Sequence, residues 1–141
     1  YGHLEGDSAL RRVARLLRDS TRQTDAVCRF GGDELAILLP ETSGAEAMTL
    51  ADRIRRAGVR VGVEGRPAAP AGAAGLLLTF SIGGATYPTD CDEAEELVAI
   101  ADQMCLDAKR QGKNQIRMFS SAGGADLFSG DAGGSLEPGS R

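Results

Sequence analysis

The sequence has little histidine, little cysteine and no long apolar run. His3 is the single histidine among 141 residues. A Ser/His/Asp triad or a histidine zinc site therefore has little to build on, and His3 is read as packing or helix-entry structure. The three cysteines, Cys28, Cys91 and Cys105, are an odd count with no CxxC spacing. That fits a reducing compartment and buried thiols better than disulfides or a metal clip. No apolar run approaches the roughly 18 residues of a membrane-spanning helix, so no membrane contact is expected. Basic residues are outnumbered, 16 Lys and Arg against 20 Asp and Glu, for a net charge of −4. That argues against a general binder of nucleic-acid polymers, which carries a basic patch. The first residues, Tyr1-Gly2-His3-Leu4-Glu5, lack the basic stretch and apolar core of a secretory signal. They also lack Met, so the chain is expected to be a piece of a longer one. No internal repeat is evident, and the length suggests one domain.

What is present divides into short elements. Leu10, Val13, Ala14 and Leu17 recur at helical spacing, with Arg11, Arg12, Arg15 and Arg18 opposite, and predict a helix over 8–19 capped by Asp7 or Ser8. Two apolar runs, 25–30 and 35–39, flank Gly31-Gly32-Asp33-Glu34 and read as a β-hairpin. The second run is apolar on both faces, which suggests a central strand ended by Pro40. A helix follows over 43–57, with Gly58 as its stop. Residues 60–75 read as a surface loop that begins with a short strand through Val59, Val61 and Val63. Residues 76–86 are β-rich. Asp90 is expected to cap a third helix reaching about Arg110, and Gly112 to stop it. Ile116 to Phe119 reads as a final strand. Residues 120–141 form a Gly/Ser-rich tail without periodicity, expected to be disordered. The fold class is an α/β (α+β) sandwich, a mainly antiparallel sheet with flanking helices.

Three constellations bear on chemistry. Asp33 and Glu34 are adjacent carboxylates in a Gly-Gly turn. Like charges repel there unless a cation sits between them, and hard oxygen donors suit Mg²⁺. A plain exposed acidic hairpin reads the same way. Gly2-His3-x-x-Gly6-Asp7 precedes the first helical stripe, where glycines can admit a phosphate or a base; a simple helix cap is the plainer alternative. Lys109-x-x-Gly112-Lys113 places two cations at a helix end, which macrodipole complementation alone would also explain.

Together these residues resemble the GGDEF, or diguanylate cyclase, family. Gly2-His3-Leu4-Glu5-Gly6-Asp7 is similar to its GHxxGD element. Arg29-Phe30-Gly31-Gly32-Asp33-Glu34-Leu35 resembles its signature, with Leu35 where Phe is usual. Ser81-Ile82-Gly83-Gly84-Ala85 resembles its SIG strand. Ala101-Asp102 to Lys109-x-x-Gly112-Lys113-Asn114 resembles its ADxALYxAKxxGRN helix, with Met104 and Cys105 for Leu-Tyr and Lys113 for Arg. The match covers residues 1–119.

The resemblance implies a nucleotide-cyclase or polymerase-palm fold and a reaction. Two GTP are condensed to cyclic dimeric GMP with release of two pyrophosphates, across a homodimer in which each domain holds one GTP and Mg²⁺ (or Mn²⁺). It implies a metal and catalytic role for Asp33 and Glu34. Gly32 is implied to pass the nucleotide, Asp7 to read guanine, and Lys109 and Lys113 to grip phosphate. Lys at 113 keeps the charge of Arg but loses its bidentate fork, so weaker phosphate binding is expected there. Arg22-Gln23-Thr24-Asp25 resembles the family's inhibitory RxxD product site, with Arg53 as a secondary contact from a neighbouring domain. Cytoplasmic signal transduction in a bacterium is implied. The family also carries a helix and a strand with DxDxFKxxND before GHxxGD, absent here. Residues 1–119 are therefore expected to form a partial domain, inactive alone, whose sheet has an uncovered place. A non-catalytic cyclic di-GMP receptor and a remnant without ligand are the alternatives.

Overall fold

Four apolar positions at helical spacing begin the fold, and the helix they build runs past its sequence signals at both ends. The computed structural model describes residues 3–61, 76–120 and 127–129. The lead residues Tyr1 and Gly2, the side chain of His3 and the position of Val63 lie outside what is described. Helix α1 spans His3–Ser20. Asp7 and Ser8, expected as caps, are inside it and exposed. Val13 and Leu17 are buried, while Arg11, Arg12, Arg15 and Arg18 face water. Thr21 Oγ1 donates to the Leu17 carbonyl at 2.9 Å and the Arg53 guanidinium donates to the Ser20 carbonyl at 2.5 Å. Those bonds satisfy carbonyls that a helix end leaves without partners.

The expected hairpin forms. Strands β1 (Ala26–Arg29) and β2 (Leu35–Leu38) pair antiparallel, with Arg29 opposite Leu35 and Ala26 opposite Leu38. The expectation of a central β2 is not met: among the described residues β2 pairs with β1 alone, and Leu38 is 60% exposed. Leu35 and Ile37 do turn inward, against the cluster of Val13, Leu17, Ile54 and Val59.

Helix α2 (Gly44–Ala57) starts on a capping box, with Ser43 and Glu46 satisfying each other's backbone N–H groups. Hydrogen bonds from the Ser43 backbone and hydroxyl hold the Glu46 carboxyl below its ordinary value. Strands β3 (Val59–Val61) and β4 (Leu76–Leu78) form a second antiparallel pair. Strand β5 (Ile82–Gly84) lies parallel to β6 (Ile116–Met118). Within the tail expected to lack structure, β7 (Leu127–Ser129) pairs antiparallel with β6. Helix α3 (Ala94–Arg110) starts later than Asp90. The Asp90 carboxylate instead accepts from the Thr86 N–H at 2.7 Å, and the Asp90 N–H returns to the Thr86 carbonyl. Asp90 thus closes the turn ahead of the helix.

Alternation along β5 sets the layers. Ile82 points into the core made by α1 and α2. Gly83 points the other way, onto α3: a Cβ there would run into Cys105 N and Ala101 O and come within 2.7 Å of Cys105 Cα. Helices α1 and α2 thus cover one face, and α3 the other. Ala108 and Ile116 are fully buried where α3 and β6 meet the core. β5 has a single strand partner among the described residues, as does β2. Unpaired edges of this kind invite further strand pairing.

Candidate active site

The hairpin turn is shaped by its own backbone and one arginine. The N–H groups of Phe30 and Gly31 both donate to the Glu34 carbonyl, at 2.9 and 3.2 Å. The Arg29 guanidinium, at the end of β1, reaches round the turn. Its Nε donates to the carbonyls of Gly31 at 3.3 Å and Gly32 at 3.1 Å, and its Nη2 to Gly32 at 2.7 Å. With the carbonyls held this way, nothing stands within 4 Å of where a Gly32 Cβ would be. The backbone at Gly32 is open to a ligand.

The two carboxylates differ. Asp33 is exposed and its side chain makes no hydrogen bond or ion pair among the described residues. Glu34 accepts from Lys109 Nζ at 2.7 Å, each side chain 37% exposed. This pair joins the turn to the last turn of α3, 75 residues away in sequence. The hydrogen bond that Lys109 donates to Glu34 raises the Lys109 pKa above its ordinary value of 10.5, burial opposing it. The sign is that of a base gaining a partner. The lysine's share of the pair's contribution is complete below that ordinary value and is lost as pH rises through the raised one.

Cys105 lies in the same corner, its Sγ 3.5 Å from the Ser81 carbonyl; burial pushes its thiol up. Cys91 is buried and Cys105 partly so, whereas Cys28 is exposed, contrary to the expectation of uniformly buried thiols.

The end of α3 is fixed at one carbonyl. Ala108 O accepts from the Lys113 N–H at 3.1 Å and from the Gln115 side chain at 3.0 Å. The chain then turns through Gly112 at φ 116°, Lys113 at 60° and Asn114 at 48°. Lys113 is exposed and stands in a left-handed conformation that costs a non-glycine residue about 1–2 kcal/mol. Lys113→Gly is therefore expected to stabilise the chain by about 0.5 kcal/mol after the added freedom of the unfolded state is subtracted. Urea denaturation checks this, and a destabilised variant contradicts it. Asp7 lies exposed on α1. No side-chain hydrogen bond or ion pair joins Asp7 or Lys113 to the turn among the described residues.

A second locus lies where α1 runs into β1. Arg18, Thr21, Arg22, Gln23, Asp25 and Val27 line an open pocket. Asp25 Oδ2 accepts from the Arg22 backbone N–H at 2.7 Å, and the Asp25 N–H donates to the Arg22 carbonyl at 3.1 Å. The Arg22 guanidinium is left exposed. Asp25 Oδ1 is buried with no hydrogen-bond partner among the described residues.

Comparison with known proteins decides the family. The model of the diguanylate cyclase GGDEF domain matches residues 1–115. The chain belongs to the GGDEF family. It is 36% identical over 122 residues to diguanylate cyclase DosC of Escherichia coli strain K12, covering 86% of this chain and 25% of DosC. It is 34% identical over 118 residues to diguanylate cyclase A of Treponema denticola, covering 84% of this chain and 30% of the relative. Among solved structures, the GGDEF domain of YfiN (TpbB) from Pseudomonas aeruginosa superposes with a TM-score of 0.70 at 33% identity, covering 83% of this chain and 70% of that one. The chain thus spans between a quarter and a third of the length of these curated relatives.

The α+β architecture is that of a GGDEF domain, and no helix among the described residues is long and apolar enough to cross a membrane. The sequence reading gave no role to Arg29, which clips the signature turn, or to Gln115, which secures the end of α3. The signal for Arg29 was present: a long donor side chain two and three residues ahead of carbonyls in a glycine turn. Gln115 carried no local signal, because its partner is on another element. Among the described residues no group of three or more His, Cys, Asp or Glu side chains is gathered to hold a metal. Asp33 and Glu34 are the adjacent hard donors in the turn.

Proposed function

We propose that this GGDEF domain condenses two GTP to cyclic dimeric GMP and two pyrophosphates, working as a pair of facing domains. The observation that carries the reading is the Glu34–Lys109 contact at 2.7 Å. It brings an acidic turn with an open glycine backbone against a helix end bearing two lysines. Such a juxtaposition suits a metal-bound triphosphate, with carboxylates toward the metal and cations toward the phosphates.

The donor set fits Mg²⁺ or Mn²⁺, because Mg²⁺ is held by one or two carboxylates with substrate phosphates and water completing its shell. Asp33 and Glu34 would hold it, and when bound it offsets charge at the reacting phosphate. In the reaction, the 3′-hydroxyl oxygen of each GTP gives up its proton to solvent and bonds to the α-phosphorus of the other. The bond from that phosphorus to the α–β bridging oxygen breaks, and pyrophosphate leaves. Asp33, whose side chain has no partner among the described residues, contacts the reacting centre. Gly32 passes the nucleotide, and Lys109 and Lys113 balance charge on the departing pyrophosphate. Asp7 reads guanine, whose N1 and N2 donors suit a carboxylate. Incubating a hybrid in which residues 1–115 replace the matching segment of DosC with GTP and Mg²⁺, and separating the nucleotides, tests this reading, a peak of cyclic dimeric GMP being the expected result.

The pocket at Arg22 and Asp25 is read as the site of product feedback. Its support is the buried Oδ1 of Asp25, an acceptor without a donor among the described residues, beside the exposed Arg22 guanidinium. Arg53, bonded to the Ser20 carbonyl of its own chain, would have to leave that carbonyl to reach product on a neighbouring domain. The same pocket would serve a non-catalytic cyclic di-GMP receptor, and turnover separates the two. Arg22→Ala is expected to weaken cyclic dimeric GMP binding at least about tenfold, roughly 1.4 kcal/mol, and to relieve inhibition. The turn itself survives the substitution, since Asp25 holds the backbone N–H of residue 22. Unchanged affinity by calorimetry refutes the site.

A further inference from the structure

Glu34 and Lys109 neutralise each other in the free protein. On the reading above, each is wanted by a different part of the ligand: Glu34 by the divalent cation, Lys109 by the phosphates. We propose that this ion pair makes the site take up metal and triphosphate together, and resist either one alone. A cation arriving by itself must pull Glu34 from Lys109 and leave an ammonium uncompensated beside it. A triphosphate arriving by itself must pull Lys109 away and leave a carboxylate facing phosphate. Arriving together, they exchange one ion pair for two new ones, and neither side chain is left without a counter-charge. The inference rests on the proposed function and goes beyond it by assigning the coupling to one contact.

Three features make the exchange local. Both partners stand on fixed backbone: Glu34 on the turn held by Phe30, Gly31 and Arg29, Lys109 on a helix end held by Gln115. Changing partner therefore asks for side-chain rotation and no rearrangement of the fold. Glu34 folds back over Gly31, where a Cβ would come within 3.2 Å of Oε2. Its other oxygen, Oε1, takes the lysine. Asp33 stays unpartnered among the described residues, so the turn keeps one free carboxylate for first contact while Glu34 is engaged. Coupling of this kind is reciprocal: whatever factor the triphosphate adds to metal affinity, the metal adds to triphosphate affinity.

The test gives each half-ligand to a protein missing the opposite half of the pair. Mn²⁺ without nucleotide is titrated into the 141-residue chain and followed by electron paramagnetic resonance. Lys109→Gln is expected to bind Mn²⁺ at least fivefold tighter than wild type. Lys113→Gln, which removes the same charge from the same helix end without touching Glu34, is expected to stay within twofold. Pyrophosphate without metal is titrated calorimetrically, and Glu34→Gln is expected to bind it at least fivefold tighter. If either affinity is unchanged, or if Lys113→Gln matches Lys109→Gln, the coupling role of the pair is overturned while the site stands. If folded wild type and variants bind neither Mn²⁺ nor pyrophosphate, the reading of the site falls, and the inference with it.

Discussion

Asp33→Ala is expected to lower cyclic dimeric GMP synthesis to about a thousandth or less. The setting for the measurement is a hybrid in which residues 1–115 replace the matching segment of DosC, since the chain covers 25% of that relative. Loss of one group that stabilises negative charge developing in a transition state costs about 10²–10³ in rate, and losing a carboxylate that would hold the metal supplying that stabilisation is expected to cost at least as much. Stability should not explain the loss. Asp33 is exposed and holds no partner among the described residues, so truncation changes folding by about 0.5 kcal/mol or less. Product binding at Arg22 and Asp25 should also persist, because those residues belong to a different turn. Turnover within a few-fold of the unsubstituted hybrid would remove Asp33 from the mechanism.

Gly83→Ala is expected to have the largest effect on the fold. In an ordinary strand this change is favourable by about 0.5–1 kcal/mol. Here the added carbon would run into Cys105 N and Ala101 O. Those atoms are the backbone of α3, which cannot yield by turning a rotamer. Separating α3 from β5 opens the layer that buries Ala108 and Met104, at a cost of about 3 kcal/mol. It also carries Lys109 away from Glu34, so site and fold suffer together. Urea denaturation with a midpoint near that of wild type would show that α3 does not press on β5 as described.

Much of this was legible from local chemistry. The acidic Gly-Gly turn, the helical stripe of α1 and the helix stopped by Gly58 each depend on residues within a few positions of one another. What was missed depends on longer reach or on competition. Asp90 looked like a helix cap, but the Thr86 N–H claims its carboxylate. Asp7 and Ser8 looked like caps, but α1 begins before them. The run at 35–39 looked doubly buried, yet a strand's second face is covered only when a neighbour supplies the cover, and β2 has β1 alone among the described residues. The Glu34–Lys109 pair spans 75 residues, and no local pattern predicts it. The family resemblance put both residues at one site, and the packing of Gly83 on α3 shows how the fold brings α3 close.

The most direct test of the account is turnover by the unsubstituted DosC hybrid. After its fold is checked by circular dichroism, it is incubated with GTP and Mg²⁺ and the nucleotides are separated. Cyclic dimeric GMP with two pyrophosphates per product is the expected result. A folded hybrid that binds cyclic dimeric GMP and makes none would contradict the cyclase reading and leave a receptor in its place.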